Sequence, residues 1–309
     1  MSFKIKNFTM RAFNNDVNNT GNLDDKYGTW SAYRNNVTQF VKSAASGSPD
    51  AKSIIVLGAG ECNDIDLNFL ADTFERIVLT DVDEQSIHDG IACQRLADSS
   101  RFEVIQTEYT GLERARFFDT LSALCSDNAP VSEISEFIKY ALEHVASIDM
   151  SELSKDGFDI VFSCPIYTQI VFTQAEVLME ILAHYSAYSH SDMHELLQSV
   201  SENMPALIEK YNDLLLSVMN RNGELVVLSD VIETHPGGEL VQTIGEILAA
   251  QPMDSHALEH LMHDNGLLFG TLGREDLLNK VIATNHLWSL WPFDENRHYL
   301  VCGVIASRK

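Results

Sequence analysis

Two apolar runs constrain this chain more than anything else in it. Ser53-Ile-Ile-Val-Leu-Gly-Ala-Gly-Glu-Cys-Asn-Asp64 passes from β-branched residues into Gly58 and Gly60, and Arg76-Ile-Val-Leu-Thr-Asp-Val-Asp83 ends on an acidic pair. Unbroken Ile/Val/Leu runs of this kind read as strands buried on both faces, the habit of parallel sheets. Glycine has no Cβ to block positive φ, so Gly58 and Gly60 allow a sharp turn into a helix and a close approach of ligand to backbone. The layout is strand, turn, helix, strand, in which a ligand lies across the carboxyl ends of the strands. A carboxylate at the end of the second strand, Asp81 or Asp83, can there accept both hydroxyls of a ribose, and a hydrogen bond to a charged group is worth about 1.5–3 kcal/mol.

Glycine spacing narrows the ligand to two cofactor classes. The dinucleotide fingerprint G-x-G-x-x-G would put its third glycine at position 63, where the chain has Asn63. The segment Val56-Leu-Gly-Ala-Gly-Glu-Cys62 resembles motif I of the class I S-adenosylmethionine-dependent methyltransferases, hydrophobic-x-G-x-G-x-G with an acid closing the next strand, except that Cys62 replaces the third glycine. Later segments separate the two. Residues 86–97 read as a helix, 102–109 as a third strand, 157–167 as a fourth strand running into a proline turn, and 222–230 as a fifth. Residues 280–288 and 298–306 read as a closing antiparallel hairpin around a loop at 292–297. Five strands alternating with helices and then a hairpin resemble the seven-stranded methyltransferase sheet, whereas a nicotinamide-binding domain ends on a parallel sixth strand.

The expected fold is therefore α/β, a doubly wound, Rossmann-like, seven-stranded and mostly parallel sheet with a C-terminal antiparallel hairpin. Residues 1–52 form an N-terminal segment in this reading, and 53–309 a methyltransferase domain with helical insertions at about 111–156 and 173–220. The second insertion is expected to break near 189–192 and at Pro205. Within the leading segment, Trp30, Tyr33, Val37 and Val41 fall at helical spacing. In the family such a helix covers the cofactor, and its plain alternative is an aromatic stripe packed on the sheet. The inserted helices are expected over the carboxyl ends of the strands as a substrate lid, with contact between two copies in a homodimer as the other reading.

What the resemblance implies is S-adenosyl-L-methionine as cofactor and methyl transfer (EC 2.1.1-type) to an oxygen, nitrogen or carbon nucleophile. It assigns Gly58, Ala59, Gly60 and Glu61 to the methionine end of the cofactor. Asp81 and Val82 go to the ribose and the strand end, Glu108 to the adenine amino group, and Ser163 to the neighbourhood of the transferred methyl. Asp83 is left to cap the following helix. Asn63 and Asp64 are read as caps of the helix after the glycine turn. Ser163-Cys-Pro-Ile-Tyr167 shares only Pro165 and Tyr167 with the Asn/Asp-Pro-Pro-Tyr motif of amino-group methyltransferases. Tyr167 and His235, the latter just past the fifth strand and able to titrate near neutrality, are the candidate catalytic side chains.

Charge bears on the acceptor. Lys and Arg number 21 against 45 Asp and Glu in 309 residues, a formal charge of −24. Phosphate backbones are held by Lys and Arg that release counterions, so this surface disfavours nucleic acid and favours a small-molecule substrate; its field attracts cations such as a sulfonium or an amine. Five cysteines stand singly, without C-x-x-C spacing, which suits a reducing cytoplasm. No apolar run approaches a membrane span. His256, His260 and His263 share a helical face, but no glutamate stands in an H-E-x-x-H frame, and no metal is expected. Three other readings share the pattern: an aminopropyl transferase of spermidine-synthase type, an NAD-dependent oxidoreductase, and a catalytically silent methyltransferase-like binding protein.

Overall fold

The computed structural model describes residues 22–309 other than 97, 98, 151, 152, 154, 155, 186 and 187. The Asn/Asp-rich stretch before residue 22 lies outside them. Two helices lead, α1 (Leu23–Thr29) and α2 (Ser31–Gly47). The nucleotide-type unit follows as β1 (Ser53–Leu57), α3 (Leu67–Thr73), β2 (Arg76–Asp81), α4 (Glu84–Cys93) and β3 (Phe102–Gln106). Next come α5 (Phe117–Ser126), α6 (Val131–His144), β4 (Phe158–Ser163), α7 (Phe172–Tyr185) and α8 (His190–Val218). The chain closes with β5 (Met219–Thr234), α9 (Glu239–Ala249), α10 (Ser255–Asn265), α11 (Leu268–Lys280), β6 (Val281–Trp291) and β7 (His298–Arg308).

The strands form one seven-stranded sheet in the order β3-β2-β1-β4-β5-β7-β6. The first five are parallel, and β7 is antiparallel to both β5 and β6. The crossover order reverses between β1 and β4, and the register there brings strand ends together: Leu57 pairs with Thr80 on one side and Ser163 on the other. Period-two alternation sends successive residues of one strand to opposite layers. Ile54, Val56, Ile77, Leu79, Ile160 and Phe162 pack on the side of α2, α3 and α4. Ile55, Leu57, Val78, Val161 and Val227 pack on the other, against residues of α5, α6, α7 and α8.

That second layer narrows the expected lid to a few residues of α7 and α8, such as Gln174 and Glu176, that reach the ligand spaces at the strand ends. Amphipathic α6 buries Ile134, Ile138 and Leu142, and α8 buries Leu196, Val200, Met204 and Leu207 on the same core. The inserted helices cover a face of the sheet because their apolar stripes need that burial, at about 1.5–3 kcal/mol for each large side chain. Other boundaries differ as well. In the first insertion, expected from about 111, helix begins only at Phe117, since Gly111 and Arg116 both adopt positive φ (79° and 55°) and turn the chain first. Ser189 and Asp192 make a reciprocal capping box that starts α8 afresh. Pro205, expected to end a helix, lies inside α8; the lost backbone bond is tolerated where Met204, Leu207 and Ile208 anchor the helix on both sides.

Tyr33, Val37, Phe40, Val41 and Ala44 of α2 are all core residues. The leading helix is therefore part of the fold itself, and a chain begun after residue 41 would lose several large apolar side chains at about 2–5 kcal/mol each, against a typical total stability of about 5–15 kcal/mol.

Candidate functional site

After β1 the backbone turns through Gly58 (φ 73°), Gly60 (φ 48°) and Cys62 (φ 55°). At a φ of 73° glycine is the favoured residue at position 58, and a Cβ there would also press on Ile166 Cδ1 (2.6 Å) of the loop after β4. Cys62 occupies the place of the third motif glycine and adopts the left-handed backbone that a glycine would, at a cost of roughly 1–2 kcal/mol. Its thiol is buried, and burial raises its pKa far above the ordinary range, so it is no nucleophile.

The turn is tied to the end of β2. Gly60 N–H donates to Asp81 Oδ2 (2.9 Å) and Asp83 N–H to Asp81 Oδ1 (3.1 Å). Asp81 is 7% exposed, and burial pushes its pKa up to about 6 despite those bonds. Asp83 is the N-cap of α4, accepting from Gln85 N–H (3.3 Å) and the Ser86 hydroxyl (2.8 Å). Tyr109 supports the turn from below: Gly58 N–H donates to its hydroxyl (2.8 Å), which also meets Thr80 Oγ1 (2.9 Å).

These elements open into a cleft at the carboxyl ends of β1, β2 and β4. Gly58, Ala59, Gly60, Glu61, Asp81, Val82 and Glu108 all line it. Glu108 also secures its own loop, one oxygen accepting from Thr110 N–H and hydroxyl and the other from Gly111 N–H (2.8 Å). Burial raises its pKa, and those hydrogen bonds pull it back. Glu61 is paired with Lys26 of α1 (3.1 Å) and accepts from Asn63 Nδ2 (3.2 Å). Arg34 of α2 lies over the Tyr27 ring (3.5 Å) and donates to the Asn63 carbonyl (3.4 Å), joining the leading helices to the turn.

Three residues singled out from sequence lie outside this lining. Ser163 is buried beneath the cleft, its hydroxyl shared with Tyr211 (2.8 Å). Tyr167 is a core residue whose hydroxyl donates to Asn212 Oδ1 (2.7 Å) and whose ring sits where a Cβ on Gly273 would go. His235 is exposed, with Nδ1 2.9 Å from the Asn296 carbonyl. Nearness to a strand end in sequence does not say which way a side chain turns. Nor does α3 use Asn63 or Asp64 as caps; Asp66 caps it, which frees the earlier pair to face the cleft. On α10, His256 and His263 are 93% and 87% exposed, and among the described residues no group of three or more His, Cys, Asp or Glu is placed to hold a metal.

Sequence reasoning named Trp30 in the segment expected to cover the cofactor and missed the rest of the roof. Trp30, at the α1–α2 junction, meets Trp291 edge-on (5.0 Å between ring centroids) and Phe293 (6.0 Å), and all three line the cleft. Trp291 ends β6 and Phe293 lies in the hairpin loop, where aromatic residues at a turn were the available signal. The same cleft contains buried polar atoms without a partner among the described residues: Asn63 Oδ1, Asp64 Oδ1, Gln174 Oε1 and Trp291 Nε1. Gln174 is the one residue of the inserted helices among the described lining. Leaving such a group unpaired costs about 1–3 kcal/mol, so three acceptors facing one space describe a ligand rich in N–H or positive charge. Asp64 is raised to about 7 by burial, against the Tyr33 hydroxyl and Arg34, which pull it down.

A glycine turn at the switch point, an acid closing β2, and β7 running antiparallel between β5 and β6 occur here together. The fold is that of a class I S-adenosylmethionine-dependent methyltransferase. The antiparallel strand departs from the parallel sixth strand of a nicotinamide-binding domain. No protein-family model and no curated protein sequence matches the chain. Among solved structures it is similar to the N-methyltransferase NodS from Bradyrhizobium japonicum WM9, at 11% identity and TM-score 0.40, covering 89% of this chain and 96% of that one. It is also similar to the magnesium protoporphyrin IX methyltransferase ChlM from Synechocystis PCC 6803 with bound SAH, at 11% identity and TM-score 0.40, covering 90% and 85%. A third is a putative RNA methyltransferase, PH1948 from Pyrococcus horikoshii, at 11% identity and TM-score 0.36, covering 85% and 79%. The acceptors in their names differ, so as a set they select none for this methyltransferase-like chain. No helix among the described residues is long and apolar enough to cross a membrane.

Proposed function

We propose that the chain transfers a methyl group from S-adenosylmethionine to a small molecule bound beside it. The observation that carries this reading is Asp81, a buried carboxylate at the end of β2 held against the Gly58-Ala59-Gly60 turn. Asp81 would take the ribose hydroxyls, Val82 and the Glu108 loop would border the base, and the unpartnered acceptors of Asn63 and Asp64 suit an ammonium at the methionine end. The sulfonium supplies an already activated methyl, leaving orientation and desolvation to the protein. Trp30, Trp291 and Phe293 exclude water on the roof side, and Arg34 and Lys26 fix α1 and α2 against the turn. The charge of −24 is the reason for preferring a small acceptor to nucleic acid.

A thermal-shift titration tests the cofactor. At a hundredfold excess over its dissociation constant a ligand adds about 2.7 kcal/mol, which should raise the melting temperature by several degrees with S-adenosylmethionine or S-adenosylhomocysteine. Absence of a shift with either at millimolar concentration, with a shift for NAD, would replace this reading by the oxidoreductase one.

A further inference from the structure

Beyond the cleft, and sharing Gln169, Trp291 and Phe293 with it, lies a second pocket between β5, the start of α7 and the β6–β7 hairpin. Three carboxylates line it: Glu176 on α7, and Asp230 and Glu233 on β5. Asp230 is 3% exposed; its Oδ2 accepts from the Thr168 hydroxyl (2.7 Å), while its Oδ1 is buried with no protein partner. Glu233 accepts from the Tyr299 hydroxyl (3.1 Å). The cation in the lining, Arg297, is paired with Asp294 (2.7 Å) and laid over the Phe293 ring (4.8 Å); its charge also bears on Glu233 and Tyr299, and Asp294 shares it. The aromatic rings of Trp291, Phe293 and Tyr299 complete the wall.

A buried carboxylate oxygen left unpaired is costly, and in a wall of carboxylates and aromatic faces the group that relieves it is a cation with N–H donors. We infer that this pocket is the acceptor subsite and that the acceptor is an amine, bound as its ammonium with one N–H on Asp230 Oδ1. The inference rests on the methyl-transfer reading above. Asp230 takes one proton from the ammonium, exposing the nitrogen lone pair. That pair forms the N–CH3 bond as the C–S bond breaks and its electrons return to sulfur, and the product leaves as a methylated ammonium that keeps the remaining protons. Burial holds the Asp230 carboxyl at about 6, with the Thr168 hydroxyl opposing that rise and the Glu233 charge adding to it, a range suited to proton transfer near neutrality.

The test is calorimetric, on the full chain saturated with S-adenosylhomocysteine, using benzylamine, benzyl alcohol and benzoate as probes of one shape and three charges. Benzylamine is expected to bind at least tenfold more tightly than either of the others. Asp230→Asn should weaken benzylamine binding at least tenfold and leave S-adenosylhomocysteine affinity within about twofold. Glu233→Gln, which keeps an acceptor for Tyr299, serves as a second variant and should weaken benzylamine less; melting curves verify that both fold. Equal binding of the three probes, or unchanged benzylamine affinity in a folded Asp230→Asn protein, would overturn the inference. Benzylamine binding by a chain that does not take S-adenosylhomocysteine would uphold the cation pocket and overturn methyl transfer instead.

Discussion

Replacing Asp81 with asparagine is expected to weaken S-adenosylhomocysteine binding by about 10–100-fold, the equivalent of the 1.5–3 kcal/mol carried by a hydrogen bond to a charged group. Asparagine is the informative variant because Asp81 accepts from Gly60 N–H on one oxygen and Asp83 N–H on the other; the amide oxygen keeps one of these bonds, whereas alanine would leave both N–H groups unsatisfied. The paired control is Asp83→Ala. It removes the cap of α4, where Asp83 serves Gln85 and Ser86, and should cost about 1 kcal/mol of stability while cofactor affinity stays within a few-fold. Calorimetry on the two variants separates the roles. A larger affinity loss at position 83 would mean that the ribose is read by the other acid.

The second large effect is on stability and has the opposite sign to most site mutations. Asp64 is 8% exposed with one oxygen unpaired, and burial raises its pKa from 3.8 to about 7. A carboxyl whose folded pKa lies above its unfolded value favours the folded state fully only below the unfolded value. That contribution is lost as pH rises through the folded one, here between about 4 and 7. At pH 8 the ionised, buried Asp64 thus strains the free protein by a few kcal/mol, since raising a pKa by one corresponds to about 1.4 kcal/mol. Asp64→Asn should raise the melting temperature of the ligand-free chain by several degrees at pH 8, and the difference should close near pH 4. Taking variant minus wild type cancels groups such as Asp159 and Asp294, whose carboxyls are held below the usual range by hydrogen bonds. If the site evolved for a cation, the same variant binds S-adenosylmethionine more weakly, so stability and binding move in opposite directions. A melting temperature lowered equally at both pH values would contradict this account of Asp64.

The succession of strands was legible because it rests on unbroken apolar runs and on glycine and acid punctuation at 58, 60 and 81, signals local to each segment. The glycine turn and the β2 acid were legible for the same reason, and the sheet places them side by side. The rest of the site depends on directions set by packing. Tyr167 and Ser163 follow β4 as a site residue would, yet Asn212 and Tyr211 of α8, distant in sequence, turn them into the core. Asn63 and Asp64 stand where helix caps would, yet Asp66 takes that role. Trp291 and Phe293 reach the cleft only because the β6–β7 hairpin folds beside α2, a contact spanning most of the chain. The smaller reach of the lid has a similar origin: amphipathic periodicity announces that α5, α6, α7 and α8 need a surface to cover, but not which one.

The most direct test of the central claim is a crystal structure of the chain grown with S-adenosylhomocysteine. The account predicts density for the nucleoside in the cleft, with both ribose hydroxyls on the Asp81 carboxylate, the adenine beside Val82 and the Glu108 loop, and the amino-acid end at Asn63 and Asp64. Density that leaves the Asp81 carboxylate without a ribose hydroxyl, or a cleft that admits NAD and refuses S-adenosylhomocysteine, would contradict it.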